Sequence, residues 1–162
     1  MLQKQVYRDC APGVPGQKAT PDQSVYTPVN YTAGANGVLV GTFCWRNDTD
    51  GTIQSSPVGT EVPLGFVERV IGFPIMEAWQ EGSFLIPMGY AATVAVHGDY
   101  WVECSGTAAP GDQVYVSTNG NGVITNTAGA GYMAVPGWRF KTAPNDGGLA
   151  IISNWGIEPS NP

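Results

Sequence analysis

Apolar residues recur along this chain in short runs, many of them alternating with polar ones, and the runs are separated by Gly, Pro, Asn and Asp. That period-2 pattern predicts β-strands joined by tight turns. "GVLVGTFCW" and "TIQSS" flank "RNDTDG", two strand-like runs around an Asp-Gly turn, which predicts a hairpin. "EVPLGFVERVIGF" reads as a further strand with a glycine bend. In "TVAVHGDYWVECS" the turn "HGD" separates Val94 and Val96 from Tyr100, Val102 and Cys104. Strand alternation turns these last three inward and places Trp101 and Glu103 on the opposite face. Asp99 falls in the turn, where its carboxylate can accept local backbone hydrogen bonds. "AAPGD" leads into "QVYVS", "TNGNG" into "VIT", and "YMAV", "PG", "WRFKT", "APNDGG" and "LAIISNW" continue the run.

The expected fold is all-β: a single-domain antiparallel β-sandwich or barrel. Helix is expected at one place only, a single turn in "PIMEAWQEG", from the spacing of Met76, Trp79 and Gln80. Residues 1–37 lack sustained periodicity and are rich in Pro, Gly, Asn and Thr, which predicts an extended N-terminal arm. Residues 38–156 form the β-rich body, and residues 157–162 a short C-terminal tail.

Composition supports this division. A chain of 162 residues with 22 glycines, 13 prolines and only 12% charged residues suits one domain of short strands. The net charge of -6 and pI near 4.5 argue against binding to a phosphate backbone, so nucleic acid is not an expected partner. The charge is uneven. Lys4, Arg8 and Lys18 against Asp9 give the first 18 residues +2, and the remaining 4 cations against 12 anions give -8. The longest apolar stretch, "FLIPMGYAATVAV", is short and interrupted by Pro87 and Gly89, so neither a membrane span nor an export signal is expected. Three widely spaced cysteines in no CxxC pair suggest reduced thiols rather than a disulfide framework.

Each candidate for chemistry has a simpler reading. His97 and Cys104 resemble a nucleophile and base in sequence, but a regular strand rising about 3.3 Å per residue would set them roughly 15 to 20 Å apart. Glu61, Glu68, Glu77 and Glu81 offer no spacing that selects a catalytic pair and are expected to be surface acids. "NDTDGTIQSSP" lacks the first and closing ligands of a calcium loop, and "NGNG" and "NDGG" lack the Lys and helix start of a phosphate cradle. One histidine and scattered cysteines assemble no zinc site by spacing. No metal, cofactor or catalytic residue is therefore expected. Trp45, Trp101, Trp138 and Trp155 are candidates for a sugar-stacking platform, or else core and interface anchors.

The order of "APGVPGQKAT", "TAGANGVLVGTFCW", "IPMGYAATVAVHGDYWVECSGTAAPGDQVYV" and "GWRFKTAPNDGGLAIISNW" resembles the structural cement, or head decoration, proteins of tailed bacteriophages. "PIMEAWQEGSF" takes no part in that resemblance. The resemblance implies a small, β-rich, non-enzymatic virion protein, made in the host cytoplasm, that binds the outer surface of the expanded head. There it would bridge neighbouring major capsid subunits. A closed homo-oligomer, a trimer in preference to a dimer, would multiply weak contacts on a symmetric shell. The cationic, Pro-rich arm is the expected anchor, with Lys4, Tyr7, Arg8 and Lys18 as capsid-contacting residues, mobile until it meets its partner. The alternative is a carbohydrate- or receptor-binding β-module of a phage tail or virion appendage, with an esterase or lysin as a third reading.

Overall fold

The strands at the middle of one sheet have both faces buried, and the rest of the architecture follows from covering them. The computed structural model describes residues 13–59, 61–70 and 84–156. In chain order the strands are β1 (Val25–Tyr26), β2 (Tyr31–Thr32), β3 (Val38–Leu39), β4 (Phe43–Asn47), β5 (Thr52–Gln54), β6 (Gly65–Val67) and β7 (Leu85–Ile86). They continue as β8 (Ala91–Ala92), β9 (Val94–His97), β10 (Asp99–Glu103), β11 (Gln113–Ser117), β12 (Ile124–Thr125), β13 (Tyr132–Phe140) and β14 (Leu149–Ser153). No helix occurs among the described residues, and the expected turn in "PIMEAWQEG" lies outside them.

Five strands form a central antiparallel sheet in the order β1-β9-β6-β4-β5, and five form a second in the order β10-β14-β13-β11-β12. The expected all-β antiparallel fold is thus the observed one. Phe43 and Trp45 of β4, Phe66 of β6 and Ala95 of β9 face the second sheet and share one core with Tyr100, Val102, Val116, Trp138, Phe140 and Ile152. The intervening Cys44, Val67 and Val94 face the other way, into a separate cluster with Ala33, Val38, Ile53, Ile86 and Ala92. A strand buried on both faces reads as a continuous apolar run, which is why "FCW" and "GFV" do not alternate. The strands β10, β11 and β14, with one face in the core, do alternate.

The hairpin around "RNDTDG" is present: Trp45, Arg46 and Asn47 pair with Gln54, Ile53 and Thr52. Asp50 accepts hydrogen bonds from the backbone N–H and hydroxyl of Thr52 at 3.0 and 2.7 Å, an Asx turn that fixes the register. Gly65 is no bend but part of β6. A Cβ there would lie 2.6 Å from the Ala95 carbonyl oxygen, so glycine lets β6 and β9 approach.

The expected turn at His97–Asp99 is instead a crossing between sheets, because β9 pairs with β6 and β1 while β10 pairs with β14. Gly98 makes the crossing possible. Its φ of 151° and a virtual Cβ 2.7 Å from the Tyr100 ring both exclude a side chain. Asp99 likewise departs from the expected role of local turn acceptor: one carboxylate oxygen accepts from the Thr20 hydroxyl at 2.9 Å and the other is buried without a partner.

The second sheet nearly closes on itself. A parallel bridge between Cys104 and Ile124 joins the two ends of its strand order, with the Ser105 N–H donating to the Ile124 carbonyl at 2.8 Å. Between Gln113↔Arg139 and Tyr115↔Ala134, β13 spends five residues where β11 spends two, and Pro136, which has no N–H to give, lies in this break. The Gln113 side-chain amide fills it, donating to the carbonyls of Val114, Val135 and Trp138.

The far face of the central sheet is covered by a ribbon made from its own edge. Tyr31↔Ala92, Thr32↔Ala91, Val38↔Ile86 and Leu39↔Leu85 form two short ladders, and the Ala33 N–H donates to the Tyr90 carbonyl between them. The same two segments also pair as β1 and β9, so residues 25–39 and 84–97 run antiparallel from the central sheet into its cover.

Phe66 stands at the centre of the shared core, with ring centroids of Tyr100, Phe43 and Trp138 at 4.7, 5.4 and 6.0 Å. Phe66→Ala is expected to cost about 3–5 kcal/mol, read from urea denaturation at equilibrium. A loss below about 1 kcal/mol would show that the two sheets do not depend on this cluster.

Candidate functional site

Of the four residues expected to contact a partner, Lys4, Tyr7 and Arg8 lie outside the described residues, and Lys18 lies within them. Lys18 forms an antiparallel bridge with Tyr100. Its neighbours hold the edge of β10. Gly16 and Ala19 donate from their N–H groups to the carbonyls of Trp101 and Asp99, both at 2.8 Å, and the Trp101 N–H donates to the Gln17 carbonyl at 2.9 Å. Gly16 also accepts from the Arg69 N–H at 2.8 Å, which ties the same segment to the end of β6. Residues 16–19 are therefore a strap across both sheets, not a free arm, and the expected mobility up to Lys18 is corrected for this part. Gly13 lies against the Trp101 indole so closely that a Cβ would overlap it.

The tryptophans do not form a stacking platform. Trp45 and Trp138 are buried, and Trp101 is half-buried beneath Gly13. Trp155 alone of the four is exposed, and its ring packs against His97 with centroids 5.1 Å apart. Trp45 donates its indole N–H to the Glu61 carbonyl, as a buried anchor must.

His97 and Cys104 are not brought together. His97 is exposed at the end of β9, while Cys104 is buried in the core beyond the end of β10. Burial pushes the Cys104 thiol up, away from the thiolate that nucleophilic chemistry requires, and full burial pushes Cys44 up to about 12.

Glu68 overturns its reading as a surface acid: it is 9% exposed and accepts from the Tyr100 hydroxyl at 3.0 Å. Tyr100 also bonds the Ser24 hydroxyl at 2.8 Å, and Tyr26 reaches the same carboxylate. Burial, with the Glu68 charge adding to it, raises both tyrosines above the ordinary phenol range. The cluster clamps the start of β1 and the end of β6 to β10. Alternation hides this role, because Glu68 follows "GFV" just where a strand would be leaving the core.

Sequence reasoning also missed a surface. Val29, Phe84, Leu85, Met88 and Tyr90 are exposed on the covering ribbon, Met88 to 67%. The signal is an absence: residues 23–45 and 84–98 contain no Asp, Glu, Lys or Arg.

A layered all-β body with an exposed apolar cover, and with the Cys44 and Cys104 thiols buried, defines a small structural module. Comparison with known proteins gives the particular kind. A family model described as "Structural cement protein (E217 gp24/Pam3 gp6)" matches residues 2–154. The fold is shared with a chain of the capsid of Myoviridae Phage XM1, at 19% identity and a TM-score of 0.66, over 97% of this chain and 99% of that one. A search of curated proteins finds no match. The chain belongs to the phage structural cement protein family.

Two outcomes follow from the buried polar groups. Tyr100→Phe leaves Glu68 and Ser24 without their shared partner and should cost about 1–3 kcal/mol in equilibrium denaturation. The Cys44 thiol and the Tyr100 hydroxyl hold their protons above the pH at which the unfolded chain releases them, so stability should fall as pH rises above about 9. Cys44→Ala should flatten that fall, measured as the urea midpoint between pH 8 and about 11; an unchanged slope would remove Cys44 from the explanation.

Proposed function

We propose that this protein binds the outer surface of a phage head and cements neighbouring major capsid subunits, without catalysing a reaction. The observation that carries this reading is the family match, which extends over residues 2–154 and so covers both sheets and the covering ribbon. Support comes from the site: the Cys44 and Cys104 thiols are turned into the core, and Glu68 is engaged as an internal clamp. A cement protein works by surface complementarity and by many simultaneous contacts on a symmetric shell, where modest single-site affinities combine through avidity. A homo-oligomer, a trimer in preference to a dimer, fits that requirement. Lys4, Tyr7, Arg8 and Lys18 remain the proposed contacts at the N-terminal end, with Lys18 presented by the strap on β10.

The reading as a glycan- or receptor-binding module is not favoured, because Trp45 and Trp138 are core residues rather than platform residues. Neither nucleic acid, membrane nor cofactor enters the proposed function. Among the described residues no helix is long and apolar enough to cross a membrane.

The experiment is co-sedimentation of purified protein with expanded, undecorated heads. Saturable occupancy at a fixed ratio to the major capsid protein is expected, together with a higher temperature for head disruption and DNA release. Absence of binding to heads alongside binding to a glycan array would replace cement by the appendage reading.

A further inference from the structure

We propose that the charge-free ribbon formed by residues 25–39 and 84–97 is the face through which this protein docks on a second copy of itself. The inference rests on the cement reading, which gives self-association its use, and it names the surface that reading leaves open.

Physical placement makes the first argument. The ribbon's inner residues Val38, Ile86 and Ala92 are buried in the cluster that covers the central sheet. Its outer side presents Val29, Leu85, Met88 and Tyr90 at exposures of 54%, 42%, 67% and 41%. Two-stranded ribbons need an apolar residue only on the side that meets the core, so apolar side chains on the outer side call for another surface. Phe84 extends this patch to the Arg69 guanidinium, which lies 5.6 Å from the centre of its ring.

Charge decides the occupant. Two copies at -6 each repel one another, and the repulsion is smallest where the facing surfaces carry no charge. The two segments of the ribbon hold none of the chain's 20 charged residues. By contrast the segments of the second sheet hold Asp99, Glu103, Asp112, Arg139, Lys141 and Asp146. A copy docking by its ribbon thus buries apolar area while its acidic groups point away, and closed symmetry about such a face is the usual form of homo-oligomers.

Light scattering and sedimentation velocity on the full chain test this, with Met88→Asp, Met88→Lys and, as a control on an exposed loop of the second sheet, Ala143→Asp. The wild type should be oligomeric, and more so as salt rises, since salt screens the repulsion between like-charged bodies. Both Met88 variants should weaken association about tenfold or more, with unchanged circular dichroism and melting temperature, and Ala143→Asp should leave it intact. Strengthened association in Met88→Lys would overturn the apolar contact in favour of a charge effect. A wild type that stays monomeric from micromolar to millimolar concentration would overturn the proposal outright. So would an intact oligomer in Met88→Asp that no longer sediments with heads, because the ribbon would then face the capsid. Failure of the wild type to sediment with heads strikes the cement reading alone, since the solution oligomer is read independently.

Discussion

Burial of the central sheet on both faces is the constraint on which the rest of this structure depends. Phe43, Trp45, Phe66 and Ala95 on one side, and Cys44, Val67 and Val94 on the other, cannot all be removed from water by one partner layer. The second sheet supplies the first cover, and the folded-over ribbon of residues 25–39 and 84–97 supplies the other. The crossing at Gly98 makes the first cover geometrically available, because it turns the chain from β9 of one sheet into β10 of the next within a single residue.

The polar exceptions sit where layers are joined. Glu68 places a carboxylate at the end of β6, where it accepts from the Tyr100 hydroxyl, which in turn bonds Ser24 beside β1. A buried carboxylate is tolerated only when such donors replace its lost hydration, and the same requirement fixes how the layers sit. Gln113 does equivalent work in the second sheet, where its amide takes the place of the ladder that Pro136 interrupts. The strap of residues 16–19 adds a third link, bonded to β10 on one side and to Arg69 on the other.

For a cement protein this division of labour matters. The core and its clamps tie the layers together through buried side chains and hydrogen bonds. The acidic residues outside the ribbon carry the chain's net negative charge, and the uncharged ribbon leaves apolar side chains exposed. Family membership places the chain among phage structural cement proteins.

By itself the sequence determined the all-β class, the hairpin at "RNDTDG" and the inward set Tyr100, Val102 and Cys104, because period-2 alternation and Asp-Gly turns act over a few neighbouring residues. It also carried, in the order of its turn-rich segments, the resemblance to phage cement. Only the tertiary structure decided which strands share a sheet. His97–Asp99 has the local look of a turn, yet its outcome was set by pairing of β9 with β6 and β10 with β14, partners far away in the chain. The same non-local packing turned Glu68 inward, converted residues 16–19 from a free arm into a strap, and gathered two charge-free segments onto one face. Local pattern states which side of a strand is apolar; what meets that side depends on contacts that close only when the whole chain has folded.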